Sequence, residues 1–153
     1  MFRSYGELAA PAISAYGPVF RRWFHREFCA RHLWGLVAET SAGVPVATGL
    51  LWLQPRQPSP RFPHQRTPYI LSVYTDPAHR RHGLGSQIVA ALVASARRRG
   101  YTRVELHSTE IGRPIYEKVG FTPTNQMRLD FRLAESSAGS APTPPRGRGP
   151  KTP

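Results

Sequence analysis

Residues 69–100 read YILSVYTDPAHRRHGLGSQIVAALVASARRRG, and their order of strand, turn and helix decides the fold. Tyr69 to Thr75 is aromatic, β-branched and apolar, a buried strand ended by Asp76-Pro77. Gly83 to Arg99 reads as a helix, with Leu84, Ile88, Leu92 and Ser95 in one stripe flanked by Val89 and Val93. Arg97, Arg98 and Arg99 suit the negative end of its dipole, and Gly100 stops it. Between strand and helix lies RRHGLG. Gly83 and Gly85 let a ligand approach the backbone without a Cβ in the way. The new helix begins with unpaired N–H groups, and Arg80 and Arg81 add charge, which together make an anion site fit for a pyrophosphate. No G-K-[ST] follows, so it is not a Walker A loop, and Ile88 stands where a dinucleotide fingerprint needs its third glycine.

Elements alternate on either side. Phe20 to His32 places Phe20, Trp23, Phe24 and Phe28 at helical steps. Trp34 to Glu39 and Val44 to Leu53 form a hairpin around the turn TSAG. Gln54 to Pro68 holds prolines at 55, 58, 60, 63 and 68 and reads as a long surface loop. Thr102 to His107 is a strand, Arg113 to Val119 a short helix closed by Gly120, and Gln126 to Leu133 a final strand. The series predicts an α/β domain, a mixed central sheet with flanking helices, over residues 1–133. Residues 134–153, AESSAGSAPTPPRGRGPKTP, have no large apolar residue and read as a disordered tail.

The 153 residues allow one domain with one core. No apolar run is long enough to span a bilayer, and the N-terminus has no secretory core. The single cysteine, Cys29, fits a reducing cytoplasm, the expected location. The net charge of +12, nearly all arginine, implies an anionic partner or follows from the codon bias of a GC-rich genome. The histidines show no ligand spacing with Cys29, so no metal site is expected.

The Tyr69–Gly100 stretch resembles the acetyl-CoA-binding segment of the GNAT acyltransferase superfamily, whose signature is strand, turn, [QR]-x-x-G-x-[GA], helix. IGRPIYEKVGF resembles the second landmark, a Tyr four residues before Gly-Phe. Small bacterial members with segments like NVYT, GRPLYE and PTNEMRL are similar to SVYT, GRPIYE and PTNQMRL here. The resemblance runs from about Phe20 to Leu133 and implies a GNAT-like fold, acetyl-CoA as cosubstrate and transfer of its acetyl group to a primary amine by direct attack in a ternary complex. Carried over by position, backbone N–H groups at Val73 and Thr75 would pair with pantetheine, and one would stabilise the developing oxyanion. Amides and charges of Arg80, Arg81, His82, Gly83, Leu84, Gly85 and Ser86 would hold the pyrophosphate. Tyr116 would face the sulfur and protonate the departing thiolate, although a core aromatic on a short helix would read the same.

The departures are informative. Thr109 stands where many members carry an Asn that grips the pantetheine, and Ser72 where the look-alikes carry Asn. The superfamily's opening strand has no counterpart in MFRSYGELAAPAISAYGPV, which leaves two readings, a misassigned start or a sheet without that strand and a differently built acceptor pocket. The Tyr69–Thr75 strand offers no Glu as general base. His107, at the end of the neighbouring strand, is the candidate, with Glu110, His64 or a relaying water as alternatives and a backbone-bonded histidine as the plainer reading. The expected partner is a small-molecule or peptide amine, with a homodimer left open. Two other functions compete: a CoA-binding GNAT-like domain without turnover, and a basic nucleic-acid-binding module. The second leaves the RRHGLG and YEKVGF pair unexplained, so nucleic acid is not the expected partner.

Overall fold

A computed structural model describes residues 10–60 and 65–129. The elements are α1 (Ala10–Cys29), β1 (Leu33–Glu39), β2 (Pro45–Pro55), β3 (Arg66–Thr75), α2 (Leu84–Arg98), β4 (Glu105–Leu106) and α3 (Arg113–Val119). The four strands form one sheet in the order β1-β2-β3-β4, antiparallel twice and then parallel. The mixed α/β sheet with flanking helices is thus borne out. Among the described residues no strand precedes α1.

The core lies between the sheet and α2. Leu51, Leu53 and Ile70 meet Ile88, Val89, Leu92 and Ala96. Gly49 permits the close approach, since a Cβ there would come within 2.6 Å of Ile88 Cγ2 and 3.1 Å of Leu92 Cδ1. On the opposite face α1 is fixed by Trp23, edge-on to Trp52 at 5.6 Å between ring centroids.

Four expectations change. The first helix starts at Ala10 and ends at Cys29, so it runs past Pro18 on its N-terminal side and excludes His32. The proline-rich loop is shorter than Gln54 to Pro68, because Pro55 and Pro68 belong to β2 and β3. Pro68 is tolerated for a geometric reason. Leu53, its partner on β2, sends its N–H to His32 O at 2.7 Å, toward β1. In an antiparallel ladder the facing Pro68 nitrogen then points away from β2, and β4 pairs only from Tyr69 onward, so no ladder bond is lost. The strand expected over Thr102 to His107 contracts to Glu105–Leu106. The expected final strand is not formed over residues 126–129, and its remaining residues lie outside the described ones.

By contacts the chain divides after Thr122. Of the second unit, residues 123–129 are described, exposed and without helix or strand. The boundary expected at 133 and the expected tail lie outside the described residues.

Glu27 ties α1 to the sheet. Its buried carboxylate accepts from Trp52 Nε1 at 3.0 Å and from Arg26 Nε at 3.0 Å, with His32 Nδ1 at 3.6 Å. The Trp52 bond, against the cost of burial, holds the carboxyl below its ordinary range, with Arg26 and His32 adding to the effect. A lowered folded-state value stabilises the fold above the ordinary carboxylate range, and the gain is lost as pH falls through the folded value. Glu27→Ala strands the Trp52 donor and should cost about 1–3 kcal/mol in urea unfolding at neutral pH. The advantage of the wild type over Glu27→Gln should shrink as the pH is taken below about 4.

Candidate active site

The site forms where β3 loses its neighbour. The parallel ladder consists of Tyr69 with Glu105 and Ile70 with Leu106, and β4 ends there. On the β2 side the register slips: Leu71 faces Leu50 and Tyr74 faces Thr48, so Ser72 and Val73 stand opposite the single Gly49. This is a β-bulge, and Ser72 takes a left-handed φ of 57° to make it.

Two hydrogen bonds fix which way the backbone faces beyond the bulge. Asp76 N–H donates to Val46 O at 2.8 Å, toward β2. Thr75 therefore faces away from β2, and its carbonyl accepts from Arg80 Nε at 3.1 Å on that side. By alternation Val73 faces the same way as Thr75. Their N–H groups point into the gap that β4 leaves, which is where pairing by a bound pantetheine would require them.

The turn that follows is tightly shaped. Asp76 accepts from Ala78 N–H at 2.9 Å and caps a short 3-10 turn, Pro77–His79. Arg81 and Gly83 then adopt φ of 67° and 77°. Gly83 caps α2 without a side-chain hydrogen bond, and the first turn carries no acid. The leading N–H groups of α2, at Leu84, Gly85 and Ser86, are thereby presented to an anion. Arg80, Arg81 and His82 are exposed beside them.

Gly85 joins the parts. A Cβ on it would lie 3.7 Å from Thr75 Oγ1 and 3.6 Å from Ile115 Cδ1, so the end of β3, the start of α2 and α3 meet there. On α3, Tyr116 is half-buried against the core and edge-on to Phe121 at 6.1 Å. Thr109 Oγ1 accepts from Gly112 N–H at 3.1 Å and so shapes the turn into α3. A Cβ on Gly112 would sit 3.2 Å from that oxygen and 3.3 Å from Tyr116 Cε2, which places Thr109 and Tyr116 beside the same glycine.

His107 lies on the other face of the sheet, where the gap begins. It follows β4 directly, and its Nδ1 is hydrogen-bonded to the hydroxyl of Tyr69. Tyr69 pairs with Trp52 and so shares the α1 face of the sheet, whereas its neighbour Ile70 is packed on α2. His107 and Tyr116 therefore lie on opposite faces. Burial raises the Tyr69 phenol above its ordinary value, a hydrogen bond from the His107 main chain opposes this, and the Glu105 carboxylate adds to the rise. Sequence reasoning missed Tyr69, because alternation alone does not give the parallel register that puts residues 69, 105 and 107 on one face. Of the alternative bases, Glu110 is exposed in the turn before α3, and His64 lies outside the described residues.

The Acetyltransferase (GNAT) family model matches residues 4–121. The chain belongs to the GNAT acetyltransferase family. Among solved structures, a GCN5-related N-acetyltransferase from Ralstonia eutropha JMP134 is similar with a TM-score of 0.74 and 32% identity, over 86% of both chains. A predicted acetyltransferase with acetyl-CoA from Clostridium acetobutylicum is similar with a TM-score of 0.65 and 28% identity, over 74% of this chain and 73% of that one. A glucosamine 6-phosphate N-acetyltransferase of Trypanosoma brucei brucei is 41% identical over 64 residues, 41% of this chain. The match spans less than half, 44%, of that relative. The resemblance read from RRHGLG and YEKVGF is thus borne out, and with it the class of enzyme, an acyltransferase of the GNAT type. Among the described residues no helix is long and apolar enough to cross a membrane, and no cluster of three metal-ligating side chains occurs.

CoA at 100 times its Kd should raise the stability by about 2.7 kcal/mol, read as a thermal shift. Gly85→Ala meets only ordinary contacts and should keep the shift, while Gly85→Trp should abolish it by filling the space toward Thr75 and Ile115.

Proposed function

We propose that the protein is an N-acetyltransferase that moves the acetyl group of acetyl-CoA to a primary amine by direct attack in a ternary complex. The observation that carries this reading is the gap beside β3. The Val73 and Thr75 N–H groups face it, and it leads into the amide-lined turn at residues 81–86. A thioester laid along β3 would pair with these N–H groups in place of the absent strand. One of them would donate to its carbonyl oxygen as negative charge develops.

The amine must shed one proton before it attacks. Its nitrogen then bonds to the carbonyl carbon, and the carbon–sulfur bond breaks as the tetrahedral intermediate collapses. The second nitrogen-bound proton ends on the CoA thiol. In this reading Tyr116 would relay that proton, and its packing on the α2 side, beside the glycine that also adjoins Thr109, supports the role. Full protonation of a thiolate of pKa about 8.5 by a phenol of about 10 is slightly uphill, so a hydrogen bond to the departing sulfur is its working role. The acceptor class is a small-molecule amine. Glucosamine 6-phosphate is the first candidate because a relative named for that activity shares 41% of 64 residues.

Thiol release from acetyl-CoA, measured across a panel of primary amines with glucosamine 6-phosphate included, tests the reading. Amine-dependent release is expected, and a protein that binds CoA but releases no thiol with any amine contradicts it. Tyr116→Phe should leave CoA affinity intact and lower kcat by about 10²–10⁴. Wild-type turnover in that variant would return Tyr116 to a packing role.

A further inference from the structure

We propose that His107 takes the proton from the incoming amine at Nε2 while Tyr69, a positioning residue, holds the ring by accepting the Nδ1–H bond at its phenol oxygen. The inference rests on the acetyl-transfer reading above and assigns the base that reading lacks.

The starting point is a polar pair that joins β3 to the end of β4. The Tyr69 hydroxyl and His107 Nδ1 are hydrogen-bonded across the last rung of the parallel ladder, where β3 and β4 begin to part. The rings are 5.8 Å apart by centroid and inclined at 46°, a side-by-side arrangement rather than a stack. His107 is exposed, so with Nδ1 turned to Tyr69 the other ring nitrogen is the one an acceptor can reach.

Position then selects the role. The reacting carbonyl would lie against the Val73 and Thr75 N–H groups, with Tyr116 on the α2 face. An amine entering from the α1 face meets the His107 side of the gap first. Base and leaving-group donor are thus on opposite faces, and neither has to serve both ends of the reaction. The balance is simple: the acceptor ammonium gives one proton to Nε2, the neutral amine forms the carbon–nitrogen bond, and the imidazolium returns its proton to solvent after CoA thiol departs.

For Nε2 to receive a proton, neutral His107 must already carry one on Nδ1, and that N–H needs an acceptor. Among the described residues, the carboxylate beside Tyr69 is already ion-paired. Glu105, opposite Tyr69, is 3.0 Å from Arg56 and 3.7 Å from Arg103. The phenol oxygen is therefore the acceptor in place. Burial keeps Tyr69 protonated through the neutral range, so it orients the ring without competing for the amine's proton. This is the arrangement of a base held in one tautomer by a third group.

The tautomer can be read without any acceptor, from imidazole nitrogen-15 NMR of the whole chain, with His107 assigned by its loss in His107→Gln. Neutral His107 is expected to carry its proton on Nδ1, and Tyr69→Phe should move it to Nε2, the form favoured by histidine in water. An Nε2–H tautomer in the wild type, or no change in Tyr69→Phe, overturns the proposal. With an amine that supports turnover, His107→Gln should lower kcat by about 10²–10⁴. Tyr69→Phe should lower it about tenfold, the loss of one hydrogen bond to a charged ring. The Kd for CoA should stay unchanged in both, and Tyr69→Phe should have no further effect in the His107→Gln background. Additive losses, or unchanged turnover in an active enzyme, would refute the pairing. A wild type that releases no thiol with any amine refutes the acetyl-transfer reading instead, and the nitrogen-15 result still decides the geometry.

Discussion

Backbone N–H and C=O groups inside a sheet need partners, and among the described residues β4 pairs with β3 only at Tyr69 and Ile70. The shortfall has two sources. β4 supplies only Glu105 and Leu106 before the chain turns away, and the bulge at Ser72-Val73 rotates the rest of β3 relative to β2. Everything proposed for the site depends on that unfilled side. Thr75 shows how strongly the chain tends to fill it, since its carbonyl already takes the Arg80 guanidinium. A ligand with an amide-rich, extended arm is the natural substitute for the missing strand.

The gap persists because both of its walls are anchored. β3 is held from below by Ile70 in the core, and α2 is held by Ile88, Val89 and Leu92, brought close by the absent side chain of Gly49. Two non-glycine residues, Ser72 and Arg81, sit in the left-handed region at the bulge and at the turn before α2. Such conformations cost on the order of 1–3 kcal/mol each and persist where the surroundings over-determine them. Both flank the proposed path of the cofactor.

The α2 stripe, the hairpin and the two glycine landmarks were legible in the sequence because each depends on local periodicity or on a turn that only certain residues make. Residues 83–99 gave their helix within one residue at each end. What was not legible depends on pairing across the sheet. Pro68 was read as loop because nothing local reveals that its nitrogen faces away from β2 and lies outside the reach of β4. Ser72 carries no mark of a left-handed residue, and the shortness of β4 is set by where β3 bends. His107 was a candidate from its place at a strand end, but its partner Tyr69 is 38 positions distant and appears only once the parallel register is known.

Amide hydrogen exchange with and without CoA reads the cofactor site residue by residue. Slowed exchange is expected at Val73 and Thr75 and at residues 81–86, with the paired amides of β1 and β2 unchanged. Protection confined to other segments, or none at saturating CoA, would contradict the assignment of the gap beside β3 as the cofactor site.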